Sequence, residues 1–284
     1  MDEIHYQSAD GLALYARDYP SERTDLTLLC MPGLTRNAAD FEDFCAALQP
    51  HYRCIAVDQR GRGRSQYDSN PANYQPATYV QDMFTLIDEL GLENVVLVGT
   101  SLGGLMAMMM NAMRPGQFAG VVLNDIGPEV NQAGLDRIKN YVGKAAPVNS
   151  WEEAIAQTKA TNGLAFPKVD DTGWAKFARR IYGENAQGIP ELLYDPAIST
   201  PMEEADNNAV PPDLWPVFDA LAGVPSIVIR GELSDILHPD SLAEMRRRKP
   251  DIEVIEIPDV GHAPMLDEPG VVTAISAFLS SLTS

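Results

Sequence analysis

Basic residues are scarce in this chain. Its 284 positions hold 21 Lys and Arg against 40 Asp and Glu, a formal charge of −19 at pH 7. A polyanion-binding surface needs a clustered excess of Lys and Arg to release counterions, so nucleic acid is excluded as an expected partner. The one basic run, Arg246-Arg247-Arg248-Lys249, reads as the last turn of a helix before Pro250, where cations suit the helix dipole. Long apolar runs are also missing. No stretch approaches the ~20 residues of a membrane-spanning helix, and Met1-Asp2-Glu3-Ile4-His5 lacks the basic and apolar regions of a signal peptide, so a cytoplasmic protein away from membranes is expected. Cys30, Cys45 and Cys54 are odd in number and lie in or beside apolar segments, which points to core packing and not to a disulfide framework. HExxH and paired CxxC are absent, and Asp235 with His238 makes a poor ligand pair, so no metal is expected. Gly61-Arg62-Gly63-Arg64 lacks the following Lys-Ser or Lys-Thr of a phosphate-cradling loop, so no nucleotide cofactor is expected either.

What is present is an alternation of short β-rich runs with helix-length segments. Strands are predicted at 3–8, 12–18, 26–30, 53–57, 95–98, 120–123, 225–230 and 253–257. Helices are predicted around 38–48, 77–90, 102–113, 241–248 and 270–282, where apolar residues recur every three or four positions. The first two strands flank Asp10-Gly11 and read as an antiparallel hairpin. The rest imply an α/β fold with a mostly parallel eight-stranded sheet covered on both faces. Residues 127–221 break the pattern. They carry helical segments near 135–142, 151–160 and 174–182 and all three tryptophans, which predicts a helical insertion between two parts of one core, 1–126 and 222–284.

Chemistry concentrates in Val95-Val96-Leu97-Val98-Gly99-Thr100-Ser101-Leu102-Gly103-Gly104, an apolar strand running through GxSxG into a helix. A serine on so sharp a turn needs Gly99 and Gly103 bare because neighbouring chain passes close, and its Oγ then projects above the sheet as a nucleophile. A serine needs a base, and the base needs an orienting acid. His262, in Gly261-His262-Ala263-Pro264 after the last strand, lies at the same sheet edge, whereas His5, His51 and His238 sit in or next to regular elements. For the acid, Asp235 and Asp125 both follow strands. Asp235 is favoured, Asp58 is assigned to holding the loop 59–65, and Asp259 is too near His262 in sequence to orient it.

The order Ser101, Asp235, His262 together with the elbow resembles the α/β-hydrolase fold family over essentially the whole chain, and so does Asp58-Gln59-Arg60-Gly61-Arg62-Gly63-Arg64-Ser65. The resemblance implies that 127–221 is a cap or lid domain, and that the oxyanion hole uses the backbone N–H groups of Leu34 and Leu102. Where many members carry His-Gly, this chain has Pro32-Gly33. A serine nucleophile argues against the aspartate-using branches. The implied activity is hydrolysis of carboxylic esters of small to medium apolar small molecules without a cofactor. Lactone or enol-lactone hydrolysis, carbon–carbon hydrolysis of diketones and ligand binding without catalysis are the alternatives. Trp151, Trp174, Phe177, Tyr182, Tyr194 and Trp215 either form the insertion's own core or line the pocket. The acidic charge favours neutral or cationic substrates unless Arg36, Arg60 or Arg64 reverses the field locally.

Overall fold

The computed structural model describes residues 1–23, 25–204 and 212–283, so 205–211 of the expected insertion lie outside the described residues. Strands β1 (Asp2–Gln7), β2 (Ala13–Tyr19), β3 (Thr27–Met31), β4 (Arg53–Asp58), β5 (Val95–Thr100), β6 (Phe118–Asn124), β9 (Ser226–Gly231) and β10 (Glu253–Ile257) build one eight-stranded sheet in the order β1-β2-β4-β3-β5-β6-β9-β10. β1 and β2 pair antiparallel, as do β2 and β4, and the remaining pairs are parallel. The core helices are α1 (Glu42–Leu48), α2 (Pro76–Leu90), α3 (Leu102–Met113), α9 (Pro239–Arg248) and α10 (Val271–Ser281).

Two-residue periodicity divides the buried side chains between the two faces of the sheet. Leu29, Met31, Ile55, Val57, Leu97, Val121 and Val228 join one cluster, with Met83 of α2 and Met106 of α3. Leu28, Cys30, Cys54, Val96, Val98, Val122 and Ile227 join the other, with Cys45 of α1 and Phe278 of α10. Each fully buried aliphatic side chain contributes about 1.5–3 kcal/mol, and both faces of the central strands are buried, so these strands are rigid mounts for whatever follows them. The three cysteines are unpaired and buried. The basic run closes α9, where Arg247 and Arg248 pair with Glu244 and Lys249 pairs with Asp251.

Between β6 and β9 lie α4 (Gln132–Tyr141), α5 (Trp151–Asn162), α6 (Asp171–Ile181), the two-stranded hairpin β7 (Tyr182–Glu184) and β8 (Pro190–Leu192), then α7 (Thr200–Glu204) and α8 (Trp215–Asp219). The hairpin is an addition to the expected helices. α8 packs on the core, since Phe218 and Leu221 are buried in the cluster that contains α3 and Asn111 Nδ2 donates to Ala220 O at 2.9 Å.

Arg60 anchors the loop after β4. Its guanidinium is 1% exposed and donates to Asp82 (2.7 Å twice), Asp68 (2.6 Å) and Asp10 (3.0 Å twice). Arg60→Met would leave Asp82 and Asp68 buried without their cation, and is expected to cost about 3–5 kcal/mol in urea denaturation. A loss under 1 kcal/mol would contradict this. The Arg60 donors hold the half-exposed Asp10 at about 2, below its ordinary 3.8. Its contribution is therefore complete above pH ~4 and is lost as pH falls toward 2.

Candidate active site

β5 is buried along its length and hands the chain directly to α3. The turn between them is made by Ser101 at φ 52°, ψ −115°, in the left-handed region where a side chain carries strain. The turn is held by the Ser101 N–H donating to Asn124 O at 2.9 Å. A Cβ on Gly99 would stand 2.2 Å from Gly103 O, and one on Gly103 would stand 2.0 Å from Met31 O. Neither position can carry a side chain without moving backbone, which gives the GxSxG pattern a steric cause.

His262 reaches this turn from the loop after β10. Its Nε2 is 2.8 Å from Ser101 Oγ, and its Nδ1 is 2.8 Å from Asp125 Oδ2. The His262 side chain is 8% exposed and that of Asp125 is 0%. The carboxylate at Nδ1 fixes the proton there, leaving Nε2 free to accept from the serine hydroxyl. Asn124 Nδ2 holds the histidine loop through Pro264 O at 2.7 Å.

The favoured acid, Asp235, is not in this group. Arg137 of α4 grips it with two hydrogen bonds, at 2.5 and 2.8 Å, and 38% of the side chain is exposed. Burial raises the Asp235 carboxyl, and the Arg137 guanidinium more than reverses this, so it stays below its ordinary range. Asp125 takes the place because it directly follows β6, the strand beside β5. It sits at φ 57°, its N–H bonds Ile229 O at 2.7 Å, and its carboxylate accepts from Gly231 N–H (2.9 Å) and the Ser234 hydroxyl (2.6 Å) as well as from His262. The sequence reading missed Ser234.

The other candidates go elsewhere. His5 packs against Tyr15 and His51 against Tyr52. His238 Nδ1 caps α9 through Asp240 N–H at 3.4 Å, so it does not join Asp235. Asp259 pairs with Lys168. Asp58 holds its loop as expected, accepting from Arg64 N–H (2.8 Å) and Ala38 N–H (2.7 Å).

A cavity of about 330 Å³ opens over Ser101 and His262, lined also by Gly33, Leu34, Tyr141 of α4 and Phe177 of α6. Of the six aromatics named for the pocket, Phe177, Tyr182 and Tyr194 line it. The three tryptophans do not. Trp174 packs with Phe166 and Phe177 in a small core, Trp151 donates to Glu184 at 2.7 Å under Arg179, and Trp215 packs on Phe218 beneath Arg248. Which face of an amphipathic helix meets a cavity depends on how the helix docks, and the helix's own pattern does not report it.

Leu34 lines the cavity, and Leu102 opens α3, where backbone N–H groups have no acceptor within the helix. The Pro32-Gly33-Leu34 loop is held from the loop after β4. Gln59 Nε2 donates to Pro32 O at 3.3 Å, and Arg62, 0% exposed, donates to Leu34 O at 2.8 Å while its guanidinium faces Tyr79. Gln59 and Arg62 thus support the segment and were not singled out from sequence. Of the three arginines able to reverse the acidic field, Arg36 lines the cavity with its charge paired to Asp40, Arg60 is caged, and Arg64 pairs with Glu3.

The sequence profile of the alpha/beta hydrolase family matches residues 28–275. A 3-hydroxybutyrate-oligomer hydrolase of Cupriavidus necator is 33% identical over 259 residues, covering 89% of this chain and 88% of its own. A 2-(acetamidomethylene)succinate hydrolase of Mesorhizobium japonicum is 28% identical over 83% of this chain and 81% of its own. The crystal structure of an alpha/beta hydrolase from Novosphingobium aromaticivorans superposes with a TM-score of 0.93 at 42% identity over 98% of each chain. A nucleophile-type turn after the central strand, in a profile match running from β3 into α10, makes this chain a member of the alpha/beta hydrolase family.

Proposed function

We propose that the protein hydrolyses carboxylic esters of small to medium substrates through Ser101, His262 and Asp125. The observation that carries this reading is the pair of 2.8 Å contacts linking Ser101 Oγ, His262 and Asp125 at the wall of the cavity. Ser101 Oγ attacks the ester carbonyl as its proton passes to His262 Nε2. The oxyanion is received by the N–H groups of Leu34 and Leu102, each worth ~3–4 kcal/mol in the transition state. Collapse breaks the bond to the alcohol, which leaves with the proton from Nε2. Water then repeats the sequence on the acyl-serine, releasing the acid and returning the proton to Ser101. Asp125 keeps the Nδ1 proton in place throughout. Residues 127–221 act as the cap, supplying Tyr141, Phe177 and Tyr182 to the cavity.

The relative acting on 3-hydroxybutyrate oligomers supports esters of short acyl chains. A panel of esters, lactones, amides and vinylogous diketones tests the reading. Esters are expected to give the highest kcat/KM, and faster turnover of lactones or diketones would replace the ester assignment.

A further inference from the structure

One wall of the cavity has a hydrogen-bonding character that an apolar chain would not use. Gln157, Thr158, Thr161 and Asn162 of α5 all line it, and the 157/161 and 158/162 spacings put them on one face of the helix. Tyr182, at the start of β7, stands against them. The hydroxyl protons here are already committed. Thr158 donates to Ala154 O at 2.7 Å, Thr161 to Gln157 O at 3.0 Å, and Tyr182 to Gln157 Oε1 at 2.5 Å. A hydroxyl has one proton and two lone pairs, so each of these oxygens can now only accept. The amides are partly spent too, with Asn162 Nδ2 on Thr158 O and Gln157 Nε2 on Ala146 O.

Such a wall sets terms for its ligand. A carboxylate would meet only lone pairs at Thr158, Thr161 and Tyr182, since the cations lining the cavity, Arg36 and Lys144, stand outside α5 and β7. An alkyl chain laid against this face would leave the remaining lone pairs of Thr158, 1% exposed, without a donor. A neutral hydroxyl supplies the missing proton. We propose that the α5 face, centred on Thr158, is a subsite for a hydroxyl group of the substrate, so that the preferred substrates are hydroxyl-bearing esters. This deepens the esterase reading and rests on it. The free end of a short hydroxyacid ester chain presents this group.

Ligand binding to Ser101→Ala protein separates this subsite from turnover. NMR titration would compare methyl 3-hydroxybutyrate with methyl butyrate, placing the hydroxyl on the acyl side, and 3-hydroxybutyl acetate with butyl acetate, placing it on the alcohol side. In at least one pair the hydroxyl compound is expected to bind about tenfold more tightly, the size of one buried hydrogen bond. Thr158→Val, which keeps shape and removes the acceptor, should bring that ratio to about one, and Thr158→Ser should restore it. Equal affinity in both pairs, or a preference that survives Thr158→Val, would overturn the subsite. Turnover of the same esters by wild-type protein reports separately on the esterase reading.

Discussion

Asp125→Asn is expected to lower kcat for ester hydrolysis about 10,000-fold with little change in KM, while Asp235→Asn changes kcat by no more than about threefold. The two aspartates occupy comparable places in the chain, each just beyond a strand's carboxyl end, but their surroundings differ in kind. Asp125 is fully buried, accepts from Gly231 N–H and the Ser234 hydroxyl, and spends its remaining capacity on His262 Nδ1. An amide there can turn its NH₂ toward the ring and hold the proton on Nε2, where it blocks transfer from Ser101. Asp235 is part-exposed and satisfied by Arg137, and a pair of that kind contributes ~1 kcal/mol or less. Steady-state kinetics on both variants, with melting temperatures to show that each is folded, decides the matter. The reverse ranking would return the acid to the loop after β9.

Ser101→Ala carries the largest loss, about a million-fold in kcat, with the remaining rate owed to binding and the oxyanion donors. The three side chains act as a unit, so their losses do not add. Ser101→Ala combined with Asp125→Asn should be no slower than Ser101→Ala alone, since a base with no nucleophile to activate has nothing left to lose. Additive losses would mean that Asp125 serves the reaction by a route other than His262. Stability should change by no more than about 1 kcal/mol in Ser101→Ala, which loses one hydrogen bond to His262 and little packing.

The central strands were legible in the sequence because burial on both faces leaves short apolar runs bounded by turn formers, and the edge strands β1 and β10 were legible from their β-rich residues despite their exposure. All eight predicted strands form, with edges shifted by no more than two residues. The elbow was legible for a steric reason, as backbone atoms 2.0–2.2 Å from the missing Cβ positions forbid anything but glycine at 99 and 103. The acid was not. Asp125 and Asp235 both precede His262 in the chain and both follow apolar strands, and what separates them is Arg137, which reaches Asp235 from α4, 98 residues away in sequence. The β7–β8 hairpin escaped notice because three-residue strands are too short to alternate, and Tyr182 lies one residue past α6. The pocket wall was half legible. The sequence marked Phe177, Tyr182 and Tyr194, but gave no sign that threonines and amides of α5 face the same cavity.

Labelling with an organofluorophosphonate, read by intact mass and peptide mapping, examines the nucleophile most directly. Wild-type protein should gain one adduct, on Ser101, at a rate that falls sharply in Asp125→Asn and stays near wild type in Asp235→Asn, with no adduct in Ser101→Ala. Protein that stays unmodified, or an adduct on any other residue, would contradict the assignment of Ser101, His262 and Asp125 as the hydrolytic site.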